Sequence, residues 1–192
     1  MKIFIDLDDT LIKSLSLHEI PGYLRPEEWV GVFGDELYLS EVRLSGYKLL
    51  DFCRRIDKNV NLLTTATREW AEYWNKVFDL GFKKEEIISR YDFLKIEDRY
   101  YLKKTLDLKN AVAVIIDDKM PRVGEPLSFL KARYVFGENK VNWIQVPRFL
   151  DNKNRGIEDP LVEKVAAELA GLLEGLSQAN VKGEAETPKI YE

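Results

Sequence analysis

The sequence has few cysteines and histidines and no excess of positive charge, which argues against a disulfide-rich, a histidine-metal or a nucleic-acid-binding protein. Among its 192 residues there is one cysteine and one histidine, and the net charge is −4. A single cysteine excludes an internal disulfide framework and suits a reducing compartment, so we expect a cytoplasmic protein. The lone histidine, His18, cannot form a metal site by itself. The acidic balance argues against broad, non-specific binding to nucleic acid.

Long apolar runs and internal repeats are also missing. No segment approaches the length of a membrane-spanning helix, and Met1 leads directly into a predicted strand rather than a signal peptide. We therefore expect no membrane partner. The hydrophobic fraction of 45% and the charged fraction of 32% are ordinary for a globular protein. A chain of this length is sufficient for one well-cored domain.

Apolar runs alternate with helical patterns along most of the chain. Strands are predicted at residues 3–7, 60–65, 87–89, 111–118, 134–136 and 143–146, and helices at residues 47–57, 68–80, 100–106 and 161–176. Such alternation is typical of an α/β fold, here a doubly wound, Rossmann-like parallel sheet with helices on both faces. Residues 177–192 are polar and aperiodic, which predicts a flexible tail.

The strongest chemical signal lies at the end of the first predicted strand. Asp6 and Asp8 follow an apolar run, and ligands of open α/β sheets bind just beyond the carboxyl ends of such strands. Two carboxylates there can serve as a nucleophile and a general acid, and together they attract a hard cation. This combination fits phosphoryl transfer through an aspartyl-phosphate.

Other polar residues near predicted strand ends match the further needs of phosphoryl transfer. The hydroxyl of Thr64 or Thr65 can bind a phosphoryl oxygen, although both residues are also ordinary strand formers. Lys103 or Lys104 can place positive charge beside the transferring group, although lysines are usually solvated.

Asp117 and Asp118 end another predicted strand and bring two more carboxylates to the same edge of the sheet. With Asp6 they would complete an oxygen-ligand site for Mg²⁺. The alternative is that they form only a turn at the strand end. A calcium loop fits poorly, because the expected glycine and closing glutamate are missing after Asp6.

In this order the motifs resemble the haloacid dehalogenase superfamily, most of whose members are Mg²⁺-dependent phosphatases with an aspartate nucleophile. Within it, the chain looks like the capless phosphatases of the RNA polymerase II C-terminal domain. Residues 41–46 resemble their Arg-Pro-Gly turn, residues 63–71 their Phe-Thr-Ala-Ser segment, and residues 99–103 their Tyr-Val-Lys segment. The likeness covers residues 2–176, nearly the whole predicted fold.

The resemblance implies a role for each candidate residue. Asp6 would be the nucleophile and Asp8 the acid and base, and the segments favour Thr65 over Thr64 and Lys103 over Lys104. The implied set is catalytic Asp6, Asp8 and Lys103, substrate-binding Thr10, Thr65 and Lys103, and metal-binding Asp6, Asp8, Asp117 and Asp118, with Mg²⁺ as cofactor. Residues 1–176 would form the phosphatase domain, without a large cap domain.

A small β-hairpin flap is expected at about residues 29–42, because two short β candidates flank the turn pair Gly34-Asp35. Trp29, Phe33 and Tyr38 on this flap are candidates for substrate contacts outside the phosphate, with packing on the body as the alternative. Arg43, just after it, is interpreted as a structural cation rather than a second phosphate ligand.

An open site beside a small flap suits a phosphate carried on a protein or other large molecule. The alternatives are a small phosphate ester such as a nucleotide or sugar phosphate, and a catalytically silent relative that uses the fold as a binding module. An enzyme acting on a phosphorylated nucleic-acid end is disfavoured by the charge balance. Fold likeness alone does not transfer a substrate.

Overall fold

The computed structural model describes residues 1–16, 31–34, 36–96, 99–102, 112–118, 141–149 and 159–184. Within these ranges the strands in chain order are β1 (Lys2–Ile5), β2 (Ile12–Ser16), β3 (Gly31–Phe33), β4 (Glu36–Val42), β5 (Asn61–Leu63), β6 (Ile87–Ile88), β7 (Phe93–Ile96), β8 (Arg99–Leu102), β9 (Ala113–Asp117) and β10 (Val141–Gln145). The α-helices are α1 (Leu44–Ile56), α2 (Arg68–Val77) and α3 (Leu161–Glu184). The predicted strand at residues 134–136 lies outside the described residues.

The central sheet has five strands in the order β10-β9-β1-β5-β6, and every pair in it is parallel. The predicted α/β fold with an open parallel sheet is therefore confirmed. Its strands β1 and β9 are apolar on both faces and almost wholly buried, as parallel strands are. The chain moves outward from β1 to β6 on one side and then returns to β9 on the other. A ligand crevice is expected at such a reversal of strand order.

The predicted hairpin flap is present, as part of a three-stranded antiparallel sheet. Strands β3 and β4 pair on either side of the turn, where Gly34 adopts the left-handed backbone conformation with φ of +62°. Strand β2 pairs with the other edge of β4, an element that the sequence analysis did not predict. Residues 12–16 include three polar residues and form no strong apolar run, so the sequence gives no clear strand signal there. Pairing with β4 makes them a strand.

The helix predicted at residues 100–106 is wrong over residues 100–102, the part that the structure describes. Residues 100–106 were expected to be helical, but β8 includes residues 100–102 and pairs antiparallel with β7. Tyr100 and Tyr101 are aromatic residues that favour strands, and the neighbouring β7 supplies a local partner. The remainder of that predicted helix lies outside the described residues.

The predicted helices α1 and α2 are confirmed, each with shifted ends. Helix α1 begins earlier than expected and buries Leu49, Leu50 and Cys53 against the sheet. Helix α2 begins after Thr67, whose side-chain oxygen accepts a hydrogen bond from the backbone N–H of Trp70 at 3.3 Å. Both helices place one apolar stripe on the core. Helix α2 begins a few residues after β5 ends, so its first turn lies near the carboxyl edge of the sheet.

Helix α3 packs on α1 and continues to Glu184, past the expected end at residue 176. Residues 177–184 were expected in the flexible tail. They contain no proline, so the helix can propagate from its packed first turns, where Leu161, Val165 and Leu169 are buried. Residues 185–192 lie outside the described residues. None of the described helices is long and apolar enough to cross a membrane.

The start of α1 is joined to the start of α3 by a buried ion pair. Arg43 is fully buried, and its Nε and Nη2 donate to the two carboxylate oxygens of Asp159 at 2.6 and 2.8 Å. Its Nη1 donates to the carbonyl oxygen of Pro147 at 2.9 Å. All of these partners are structural, so the interpretation of Arg43 as a structural cation agrees with its contacts.

Candidate active site

The first part of the site is the turn that follows β1. The backbone N–H of Asp6 still pairs with β9, donating to the carbonyl oxygen of Ile116 at 2.9 Å. The chain then turns sharply, because the N–H groups of Leu11 and Ile12 both donate to the carbonyl oxygen of Leu7. Asp9 adopts φ of +61° in this turn, a conformation that aspartate tolerates better than most residues. The turn leaves Asp6 buried at the carboxyl edge of the sheet.

Asp117 and Asp118 reach the same edge from β9. Strands β1 and β9 are in register at Ile5 and Ile116, so the next residue of each strand emerges at the same level. Asp6, Asp117 and Asp118 are all buried, and one carboxylate oxygen from each lies within 4.8 Å of the others. The predicted meeting of these three carboxylates is therefore present in the fold.

The hydroxyl of Thr10 joins the two halves of this cluster. It accepts a hydrogen bond from the backbone N–H of Asp118 at 3.0 Å and donates to Oδ2 of Asp6 at 3.5 Å. The side chain is fully buried. These contacts hold the β1 turn against the end of β9. A substrate contact for Thr10, which the sequence predicts, stays a prediction.

The donor set of the cluster fits a hard divalent cation. Carboxylate oxygens are the ligands that Mg²⁺ prefers, and three of them converge here within 4.8 Å of one another. Three buried carboxylates also repel one another strongly unless positive charge lies among them. Asp6, Asp117 and Asp118 are therefore the residues that would hold such an ion.

Asp8 lies beside the cluster but is not in the group of three close carboxylates found among the described residues. Its Oδ1 accepts a hydrogen bond from the indole Nε1–H of Trp70 at 3.0 Å, and its Oδ2 lies 3.5 Å from the hydroxyl of Thr64. The side chain is thus oriented by a residue just after β5 and a residue of α2. A metal-ligand role for Asp8 stays a prediction.

Of the two candidate threonines, Thr64 is the one whose side chain contacts Asp8. Its buried hydroxyl accepts from the backbone N–H of Ala66 at 3.0 Å and contacts Asp8. Thr65 is only partly buried, and its carbonyl oxygen accepts a hydrogen bond from Nε of Arg90 at 2.8 Å. The phosphate contact predicted for Thr65 remains a prediction. Lys103 and Lys104 lie outside the described residues.

Arg148 is a cation near the site that the sequence analysis missed. Its guanidinium is half-exposed, forms two hydrogen bonds with Oδ2 of Asp9, and lies 4.0 Å from Oδ2 of Asp118. The hydrogen bond to Asp9 raises the pKa of Arg148, so the guanidinium stays charged. The next residue, Phe149, donates its backbone N–H to the carbonyl oxygen of Asp9 at 2.7 Å. A single Arg after a short strand carries no sequence pattern that would have identified it.

The flap packs on helix α2 at the mouth of the site. The rings of Phe33 and Tyr38 meet the ring of Trp70 edge to face, with centroids 5.2 and 4.8 Å apart. Phe33 also contacts Tyr73 at 5.6 Å. Phe33 and Tyr38 therefore pack on the body of the protein, which was the alternative to a substrate contact. Trp29 lies outside the described residues.

Two solved structures of an RNA polymerase II CTD phosphatase, Fcp1, are similar to this chain. For a variant of the fission yeast protein bound to beryllium fluoride, the TM-score is 0.49 and the identity 17%, over 97% of this chain. For a second structure of Fcp1, an essential RNA polymerase II CTD phosphatase, the TM-score is 0.46 and the identity 18%, over 98% of this chain. The chain spans only 57% and 55% of these two proteins. No family model and no curated protein matches the chain.

Proposed function

We propose that this protein is a Mg²⁺-dependent phosphatase that hydrolyses a phosphate monoester through an aspartyl-phosphate at Asp6. The observation that carries the proposal is the meeting of Asp6, Asp117 and Asp118 at the carboxyl edge of the sheet, with Asp8 beside them. The residue proposed as nucleophile, the residue proposed as acid and the carboxylates proposed to hold the cation thus lie close together. The order of the motifs along the sequence supports the same reaction.

The chain's own residues can perform both halves of the reaction. In the first half a carboxylate oxygen of Asp6 attacks phosphorus, the bond from phosphorus to the leaving oxygen breaks, and Asp8 gives that oxygen its proton. In the second half Asp8 takes a proton from water as the water oxygen attacks phosphorus, and the bond to Asp6 breaks. The protein returns to its starting state, with Asp6 ionised and Asp8 protonated.

The remaining proposed residues bind rather than react. Thr65 and Lys103 would hold the oxygens of the phosphoryl group, as the sequence resemblance implies. A Mg²⁺ ion bound by Asp6, Asp117 and Asp118 would neutralise negative charge at the transferring group. Burial of these three carboxylates makes that neutralisation effective, because the local dielectric constant is low.

We propose a protein or other large molecule as the carrier of the phosphate. The support is the small lid that the sequence predicts in place of a large cap domain: the predicted flap strands β3 and β4 form a three-stranded sheet with β2. A small phosphate ester is the alternative. The cytoplasm remains the expected location, on the basis of the cysteine content.

The reaction is tested by phosphate release from an aryl phosphate, with Mg²⁺ or with a chelator. We expect activity that requires the metal and that falls by at least about 10³-fold in Asp6→Asn, because that variant lacks the nucleophile. Asp51→Asn is the matched control, since Asp51 is exposed on α1 and should leave activity unchanged. Activity of Asp6→Asn close to the wild-type value would contradict the proposal.

The carrier is tested by comparing phosphopeptides with nucleotides and sugar phosphates at equal concentration. Higher kcat/KM for the phosphopeptides supports the large substrate, and the reverse order supports the small ester. A folded protein that binds phosphate compounds but releases no phosphate from any of them would indicate a binding module instead.

A further inference from the structure

The indole of Trp70 makes a direct hydrogen bond to the proposed acid and base. Trp70 lies in the first turn of α2, which begins just after the carboxyl end of β5. Its Nε1–H donates to Oδ1 of Asp8 at 3.0 Å, a normal length for such a bond. The two residues are far apart in the sequence, so this contact is a product of the fold alone.

The chemistry of the indole makes this bond informative about Asp8. An indole N–H can only donate a hydrogen bond, so Oδ1 of Asp8 must act as an acceptor in it. When Asp8 carries a proton, the bond from the indole favours Oδ2 as its position, because a carbonyl-type oxygen accepts a hydrogen bond more readily than a hydroxyl oxygen does. The bond thus orients the carboxyl group and favours Oδ2 as the oxygen that transfers the proton.

Trp70 is itself held by aromatic neighbours from two elements. Phe33 and Tyr38 of the flap contact its ring edge to face, and Trp74 of α2 does the same at a centroid distance of 5.4 Å. Aromatic pairs of this kind stabilise beyond the burial of their surface. The flap therefore helps to set the position of the indole N–H.

We infer that Trp70 is a positioning residue for Asp8: its indole N–H holds the carboxyl group in the orientation that protonates the leaving oxygen, and the flap holds Trp70. This inference rests on the proposed phosphatase function. It gives the flap a role in the chemistry, since Phe33 and Tyr38 help to hold the ring whose N–H orients Asp8.

The test uses Trp70→Phe, which keeps an aromatic ring against the flap but removes the N–H donor. The matched control is Trp74→Phe on the same helix. The Nε1 of Trp74 has no hydrogen-bond partner among the described residues, and its ring is fully buried. The control removes an indole of the same kind but keeps an aromatic ring against Trp70, so it leaves the bond to Asp8 intact.

The readout is kcat/KM for two aryl phosphates whose leaving groups differ in basicity. Phenol is a poor leaving group and needs a proton as it departs, whereas nitrophenol leaves readily as its anion. We expect Trp70→Phe to lower kcat/KM about 10- to 100-fold for phenyl phosphate, a part of the contribution of general acid catalysis. The loss with nitrophenyl phosphate should be several-fold smaller. Asp8→Asn should show the same pattern in stronger form.

The outcomes separate this inference from the proposed function. Equal losses for the two substrates in Trp70→Phe, no loss, or the same pattern in Trp74→Phe would overturn the positioning role while leaving the phosphatase intact. A folded wild-type protein without Asp6-dependent phosphate release would overturn both. Unequal losses confined to Trp70→Phe and Asp8→Asn support the inference. Urea unfolding of both Phe variants checks that Trp70→Phe is no less stable than Trp74→Phe.

Discussion

Replacing Arg43 by methionine is a stringent test of how this fold is held together. The side chains of Arg43 and Asp159 are 0% and 3% exposed, and two hydrogen bonds join them at 2.6 and 2.8 Å. Methionine fills much of the same space but leaves the carboxylate of Asp159 buried without its cation. Removing one partner of a buried pair destabilises a protein by about 3–5 kcal/mol.

The expected loss lies near the lower end of this range, because Asp159 keeps two other donors. Its carboxylate oxygens still accept from the hydroxyl of Ser45 and from the backbone N–H of Leu161 at 3.2 Å. A loss of about 3 kcal/mol would lower the melting temperature of a domain of this size by roughly 6–12 °C. Urea unfolding followed by tryptophan fluorescence measures the free energy directly.

Two further variants make the result specific to the pair. Arg55→Met replaces an exposed arginine of α1 and should change the free energy of unfolding by no more than about 0.5 kcal/mol. The double variant Arg43→Met/Asp159→Leu should recover at least half of the loss, since no unpaired charge remains. A loss below about 1 kcal/mol in Arg43→Met, typical of an exposed ion pair, would refute the reasoning.

Three other measurements follow from single residues. Burial raises the pKa of the Cys53 thiol to about 12, so a thiol reagent should react with it only after unfolding. Burial alone would raise the pKa of Asp159, but hydrogen bonds and the charge of Arg43 lower it overall. The free-energy advantage of wild type over Asp159→Asn should therefore persist above about pH 4 and shrink as pH falls below that value. Gly81→Ala, at φ of +74°, should destabilise by about 1–2 kcal/mol, whereas Gly171→Ala in the exposed helix should stabilise slightly.

Each of these three predictions would be contradicted by a specific result. Rapid labelling of native Cys53 would show that its helix face is not buried. A constant difference between wild type and Asp159→Asn down to about pH 2 would remove the role of the ion pair in acid stability. Equal effects of alanine at Gly81 and Gly171 would show that the left-handed conformation is not required.

The central sheet was predictable because its strands bear a strong local signal. The residues of β1 and β9 are continuous apolar runs, and each run ends in aspartate. Parallel strands carry their carboxyl ends to one edge, so the strand assignments place Asp6 and Asp117 at the same edge. The pairing of β1 with β9 then brings them together. The hairpin was predictable for a similar reason, since Gly34 marks a turn between two β candidates.

Other features depend on contacts that no local pattern encodes. Tyr100 and Tyr101 fit either a helix or a strand, and pairing with β7 decides between them. The bond from Trp70 to Asp8 needs the first turn of α2 to lie beside the β1 turn, which only the assembled sheet provides. The partners Arg43 and Asp159 come together because α3 returns to pack on α1.

Chemical trapping of the intermediate tests the central claim most directly. Borohydride reduces an aspartyl-phosphate to homoserine, which peptide mass spectrometry can locate in the chain. During turnover of an aryl phosphate with Mg²⁺, we expect homoserine at position 6 of the wild-type protein and none without substrate. Continued phosphate release with Asp6 unmodified, at a rate that Asp6→Asn shares, would contradict the account.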